Sequence, residues 1–312
     1  MKGVILDCDS LRPADLDLSA LAELPIAWTI YPTTTQEQTA QRIADADLIL
    51  TNKVVLGRQE ILSAPNLKYI GVLATGTNVI DVSTAQLRNI TVTNVTGYGT
   101  ASVVQHCFAL ILSLATRLPD YNCAALNGQW SKSPFFCLLD YPIQQLSGAT
   151  MGIVGYGKLG RSMAKIASAF GMHVKIAGLP GRHPGSASRV PLEELLSQVD
   201  VLSLHCPLTP NTTNLIGAKE LAMMKPTALL INCARGGIVD EMALATALRR
   251  GKLGGAGVDV LSEEPPRHHN PLLDPGIPNL IVTPHCAWGS RESRQKLVLE
   301  AGRNLRSFLG IC

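Results

Sequence analysis

The sequence has almost no excess charge of either sign. Lys and Arg number 27 and Asp and Glu 24, a net charge of +3, which argues against a dedicated nucleic-acid binder. It has no apolar leader: MKGVILDCDS reaches Asp7 almost at once, unlike a secretory signal. It has no apolar run of bilayer length, since Val103–Ala115 is too short and contains Gln105 and His106, so no membrane partner is expected. It has no repeats and no low-complexity tract. It has no CxxC pair: the eight cysteines are scattered at 8, 107, 123, 137, 206, 233, 286 and 312, mostly inside apolar runs. They read as reduced thiols of a cytoplasmic protein. His268-His269 lacks companions at ligand spacing, so no metal is expected.

What is present is a globular chain of 312 residues, 46% hydrophobic and 16% charged, long enough for two domains. Short β-rich runs alternate with helical stretches. Gly3–Asp7, Ala27–Tyr31, Asp47–Thr51, Leu67–Leu73 and Ile90–Val95 read as strands, with helices over Pro13–Ala22, Thr35–Ala44 and Asp81–Leu87. A second series follows: Thr150–Val154, His173–Ala177, Val201–Leu204, Ala228–Ile231, Gly257–Val260 and Leu280–Thr283. These runs are nearly all apolar, as strands buried on both faces are. Lys158–Phe170 reads as a helix with Leu159, Met163, Ile166, Ala167 and Phe170 on its inner face. Asp240–Arg249 and Arg291–Phe308 are further helices, the last returning to pack on the first domain. Gly99–Leu118 reads as a buried connecting helix. The fold class is α/β with parallel sheets.

Gly155-Tyr156-Gly157-Lys158-Leu159-Gly160 is a GxGxxG turn between a strand and an amphipathic helix, the context of a dinucleotide site. Gly155 permits the tight turn, Gly157 lets backbone approach a pyrophosphate, and Gly160 allows close helix–strand packing. The helix N-terminus offers N–H groups and positive dipole to the anion. An NAD-specific site places a carboxylate at the end of the next strand. Here that end is Gly178-Leu179-Pro180-Gly181-Arg182, with no acid. Two readings of Arg182 stand: it meets a 2′-phosphate, making the site permissive toward NADP or selective for it, or it is a solvated loop residue and NAD binds without the carboxylate.

Three later strands run into chemically capable residues: Arg235, Glu264 and His285. In an open parallel sheet, ligands bind outside the carboxyl ends of the strands. Reduction of a 2-oxo acid needs a cation for carboxylate and carbonyl, which Arg supplies as a planar fork. It needs a proton donor for the developing alkoxide, a task suited to His. A carboxylate beside the His orients the ring and keeps the imidazolium available.

These segments, with Gly71–Asn78, Thr93–Thr100 and Leu204-His205-Cys206-Pro207-Leu208-Thr209, resemble the D-isomer-specific 2-hydroxyacid dehydrogenases over nearly the whole chain. The Thr283–Trp288 form looks most like the glycerate dehydrogenase (hydroxypyruvate reductase) branch. The resemblance implies two Rossmann-like or flavodoxin-like α/β domains with a cleft between them: a substrate domain of residues 1–98 plus 287–312 and a dinucleotide-binding domain of 99–286. It implies a homodimer, NAD(P)H as cofactor, and a small 2-oxo or 2-hydroxy acid as substrate. It implies Arg235 as substrate-binding arginine, Glu264 as the histidine's partner and His285 as acid/base. Backbone N–H groups at Thr75 and Gly76 would hold the substrate carboxylate. Tyr156 to Leu159, Cys206, Cys233, Ala234, Arg235 and Asp259 would line the cofactor. Gly178 departs from the family pattern, where an acidic residue is common. Two rival readings are a reductase for another 2-oxo acid and a dinucleotide-sensing regulator without catalysis. Trp130 and Phe135-Phe136 read equally as a cover for a partner's cleft or as local packing.

Overall fold

The computed structural model describes residues 1–179 and 189–311. Among these lie eleven strands: β1 (Lys2–Ile5), β2 (Ala27–Ile30), β3 (Leu48–Thr51), β4 (Tyr69–Val72), β5 (Thr91–Asn94), β6 (Thr150–Val154), β7 (His173–Ile176), β8 (Val201–Leu204), β9 (Leu229–Asn232), β10 (Gly255–Val258) and β11 (Leu280–Val282). The chain divides into two compact units, Met1–Gly99 with Trp288–Cys312, and Thr100–Ala287.

In the first unit five parallel strands lie in the order β2-β1-β3-β4-β5, the flavodoxin-like winding. Alternate side chains of a strand point to opposite faces, so a sheet covered on both must be apolar at every position. Ile49, Ile70 and Val72 accordingly face one layer, while Leu48, Leu50 and Tyr69 face the other. The final helix, Arg291–Leu309, covers the second face with Leu297, Val298, Ala301 and Leu305. Its Phe308 ring lies 4.8 Å from that of Tyr69. Arg294 anchors its first turns by a fork onto both carboxylate oxygens of Asp15, at 2.7 Å each.

The second unit is a six-stranded parallel sheet, β11-β10-β9-β8-β6-β7. Beyond β7, Val190 forms a single parallel bridge with Ala177. Its N–H donates to Ile176 O at 2.9 Å, and Gly178 N–H donates to Val190 O at 2.8 Å. The winding therefore runs outward through β7 to Val190, then returns to the other side of β6 at β8. The reversal between β6 and β8 is the topological switch point, where doubly wound sheets bind ligands. Met151, Ile153, Leu229 and Ile231 pack with Ile111 and Met163 on one face. Leu202, Leu204 and Leu230 pack with Leu195, Leu244 and Leu248 on the other.

The structure departs from the sequence reading in three places. Pro13–Ala22 is not one helix but a 3-10 turn, Pro13–Asp15, and a short helix, Ser19–Ala22. The break lies at Leu16, whose extended backbone (φ −112°, ψ 146°) stops the turn that begins at Pro13. The connecting helix ends at Ala115; Arg117 adopts φ 53° and a second helix, Leu118–Leu126, departs at 59°. The helix Lys158–Ala169 buries Gly160, Met163, Ala164 and Ala167, leaving Ile166 and Phe170 exposed. The small residues turn inward because the helix must touch the glycine turn, and Phe170 instead stacks on Phe108 with ring centroids 5.3 Å apart. No single helix among the described residues is long and apolar enough to cross a membrane.

Candidate active site

The glycine turn follows β6 at the switch point. Gly155 has φ +96°, and a Cβ there would lie 2.5 Å from the backbone carbon of His205. A Cβ on Gly160 would lie 2.1 Å from Gly155 O. Both positions exclude any side chain. Gly157 differs: among the described residues its Cβ would meet nothing within 4 Å, so they leave its backbone open at the N-terminus of a twelve-residue helix. That cradle fits a dinucleotide pyrophosphate. Tyr156 and Leu159 are half-buried beside it and Lys158 is exposed. Cys206 is buried, its backbone N 2.6 Å from the position of a Gly155 Cβ. Arg182 lies outside the described residues.

His205 crosses directly behind this turn. Its Nε2 pairs with Ser203 Oγ at 2.9 Å, and its Nδ1 is buried with no hydrogen-bond partner among the described residues. Burial pushes its pKa down from 6.5 to about 4, so the folded protein refuses a proton that the unfolded chain accepts between those values. Stability is therefore expected to fall as pH drops from about 6.5 toward about 4, by on the order of 2–3 kcal/mol. Urea midpoints at pH 7 and pH 5 for the wild type and His205→Asn check this: the variant should lose less. Parallel losses would exclude His205 as the cause.

β9 runs into Cys233, Ala234 and Arg235. The buried Asn232 side chain ties this turn together, accepting from Ala234 N at 3.1 Å and donating to Arg235 O at 2.9 Å. Arg235 is half-buried and donates from Nη1 to Ala234 O at 2.7 Å. Gly236 then brings this loop against the one after β10: a Cβ would lie 1.8 Å from Leu261 O. Cys233 is buried, and the neighbouring Cys107 thiol, together with burial, pushes its own thiol pKa well up.

The loops after β10 and β11 carry the remaining pair. Glu264 accepts from Leu261 N at Oε1, 3.0 Å, and pairs at Oε2 with His285 Nδ1, 2.6 Å. Both side chains are about two-thirds covered. Oε1 fixes the carboxylate to its own loop, so Oε2 fixes the imidazole. His285 has φ 49°, a left-handed conformation held by its N–H donating to Asp259 O at 2.8 Å. Such strain in a non-glycine residue persists only where the surroundings enforce it.

Asp259 does that enforcing. It is 1% exposed and accepts three hydrogen bonds from the His285 loop: Thr283 Oγ1 at 2.6 Å, Cys286 N at 2.9 Å and Ala287 N at 3.0 Å. Ser102 Oγ secures Ala287 O at 2.6 Å. His106 Nε2 lies 2.9 Å from Thr283 Oγ1 and 3.6 Å from Asp259 Oδ1. The sequence reading gives no role to His106, Thr283 or Asn232. The available signal was a carboxylate, Asp259, inside an apolar run: a charge there must be paired. On the surface of the same unit, His268 pairs with Glu263 at 2.8 Å.

In the first unit, Thr75 Oγ1 donates to Val95 O at 3.1 Å and Asn94 Nδ2 donates to Thr75 O, which fixes the turn that carries Thr75 and Gly76. The buried Asp7 after β1 accepts from Asn52 N and Lys53 N at 2.9 and 2.7 Å, so it orders the loop after β3 at that sheet's own reversal.

Residues 108–287 match the family model described as "D-isomer specific 2-hydroxyacid dehydrogenase, NAD binding domain". A hydroxypyruvate reductase from Blautia hydrogenotrophica is 42% identical, with 99% of this chain and 97% of that one covered. A glycerate dehydrogenase from Methylorubrum extorquens is also 42% identical, covering 99% and 96%. The solved TT0316 protein of Thermus thermophilus superposes with a TM-score of 0.87 at 31% identity, covering 100% of this chain and 98% of that one. With a switch-point glycine cradle, a doubly wound sheet and these relatives, the chain belongs to the D-isomer-specific 2-hydroxyacid dehydrogenases, nicotinamide-dependent oxidoreductases acting on a CH–OH group.

Proposed function

We propose that the protein reduces hydroxypyruvate, and glyoxylate as a second substrate, to D-glycerate and glycolate with NAD(P)H. The observation that carries the chemistry is the 2.6 Å contact from Glu264 Oε2 to His285 Nδ1. It commits Nδ1 to the carboxylate and makes Nε2 the nitrogen that exchanges a proton with substrate. The two relatives' names favour hydroxypyruvate and glycerate as the oxo and hydroxy acids.

When bound, NAD(P)H would supply the hydride that C2 of the oxo acid takes up. Arg235 binds and polarises the substrate, and the backbone N–H groups of Thr75 and Gly76 take its carboxylate. His285 Nε2 gives its proton to the C2 oxygen as negative charge develops there. Glu264 stabilises the imidazolium before transfer and holds the ring afterwards. The glycine turn, Tyr156 to Leu159, Cys206, Cys233, Ala234 and Asp259 form the dinucleotide's wall. Residues 100–287 are then the dinucleotide domain and the remainder the substrate domain.

Gly178 favours NADPH: the sequence after β7 carries no carboxylate to repel a 2′-phosphate, and among the described residues a Cβ there would meet only Val190 O at 3.7 Å. The exposed apolar side chains Leu126, Trp130, Phe135, Phe136 and Leu139 support a homodimer, since a monomer seldom leaves so many large apolar groups in one segment. The seven described cysteines are all free thiols, in keeping with the cytoplasm.

Initial rates of the purified protein with hydroxypyruvate, glyoxylate and pyruvate, each with NADH and NADPH, test the reading. Hydroxypyruvate is expected to give the highest kcat/KM, with NADPH preferred. Dinucleotide binding without turnover of any of the three acids would overturn it.

A further inference from the structure

Beside the proposed proton donor sits a group of side chains of which the reduction uses only Asp259, as part of the dinucleotide's wall and as the anchor of the His285 loop. His106 comes from the helix Thr100–Ala115, Asp259 from the turn after β10, and Cys286 from the loop after β11. One ligand atom from each, an imidazole nitrogen, a carboxylate oxygen and the thiol sulfur, all lie within 4.8 Å of one another. Asp259 is buried, His106 half-buried and Cys286 exposed, so the floor of the group is dry while the thiol opens a route from solvent. From the geometry we propose that His106, Asp259 and Cys286 form a binding site for a zinc-class divalent cation, with water as the fourth ligand.

The ligand types suit that cation class. Imidazole nitrogen, thiolate sulfur and carboxylate oxygen are all zinc ligands, and three protein ligands plus water is a stable tetrahedral set. In a tetrahedral zinc site adjacent ligand atoms stand about 3.3–3.8 Å apart. His106 Nε2 and Asp259 Oδ1 are already at 3.6 Å, and the remaining separations close by about 1 Å or less. A carboxylate with a thiolate neutralises the dication, whereas magnesium and calcium gain little from sulfur.

Binding requires two proton movements. The Cys286 S–H bond breaks, a sulfur–metal bond forms, and the proton leaves to solvent. Thr283 Oγ1 donates its hydrogen to Asp259 Oδ1, so in the metal-free protein His106 Nε2 carries hydrogen and donates toward Thr283 Oγ1. Metal binding moves the ring proton from Nε2 to Nδ1 and presents a lone pair to the cation.

The site has a consequence for the loop. Asp259 releases some of its contacts with Thr283 and Cys286 to hold the metal, and Cys286 adjoins His285. A loaded site therefore draws the loop off its catalytic geometry, so zinc inhibits the enzyme. That consequence rests on the proposed role of His285; the metal site does not.

Titration of the purified full-length protein with Co²⁺, under a non-thiol reductant, reads the site directly. The expected result is saturation at one cobalt per chain with a thiolate-to-cobalt charge-transfer band that Zn²⁺ abolishes. Cys286→Ser should remove the band, and His106→Asn should weaken cobalt binding at least tenfold. Circular dichroism of both variants checks that they fold. Absence of the band in wild type would overturn the proposal. So would a band that persists in Cys286→Ser, which would put the metal on another thiol such as the exposed Cys123. The spectrum decides the site even if none of the tested acids is turned over.

Discussion

His285→Ala lowers kcat for hydroxypyruvate reduction by about 10²–10⁴-fold, while the dissociation constant for the dinucleotide stays nearly unchanged. The asymmetry follows from the geometry. His285 is held by Glu264 on one side and by the Asp259 carbonyl on its backbone, and its removal leaves the glycine turn untouched. What is lost is the proton for the C2 oxygen, a group needed as charge develops and not before. Single-turnover rates and fluorescence titration of the reduced cofactor separate the two quantities. Glu264→Gln gives a smaller loss in kcat, because an amide oxygen still accepts from Nδ1 but no longer offsets the imidazolium charge. A fully active His285→Ala enzyme would remove the residue from the reaction.

Arg235→Ala reduces kcat/KM for hydroxypyruvate by about 30- to 5,000-fold, the size expected for removing one partner of a charge-assisted contact worth about 2–5 kcal/mol. Unlike the histidine change, it raises KM as well as lowering kcat, since the guanidinium binds the ground state and polarises the carbonyl. Lysine does not restore the activity. A guanidinium reaches two oxygens of a planar acid at once, and an ammonium presents a point charge. Steady-state kinetics of Arg235→Ala and Arg235→Lys with hydroxypyruvate and NADPH read both effects. Near-wild-type KM in the alanine variant would place the substrate elsewhere.

Much of this site can be read from residue order, for a physical reason. Strands buried on both faces are apolar without interruption, so the first polar residues after them mark the carboxyl edge where a parallel sheet binds its ligand. That logic leads to Arg235, Glu264 and His285. It does not lead to the way Asp259 acts, because its hydrogen-bond donors lie 24 to 28 residues further along the chain and carry no motif. His106 was legible only as a polar interruption in an apolar helix. The inner face read for Lys158–Phe170 differs from the observed one because amphipathic periodicity weighs side-chain bulk, while the packing here is set by Gly160 touching Gly155. The Pro13–Ala22 segment shows the same limit: its alanines and leucines favour a helix, and the extended backbone at Leu16 divides it.

The contact at Gly236 gives the two halves of the proposed proton and anion chemistry a common gauge. Leu261 O occupies the space of any side chain at Gly236, so the loop bearing Arg235 and the loop bearing Glu264 meet backbone to backbone. Main-chain atoms do not switch rotamers as side chains do. The offset between the two loops is therefore set like a machined spacer, and the register of acid against cation survives side-chain fluctuation within either loop.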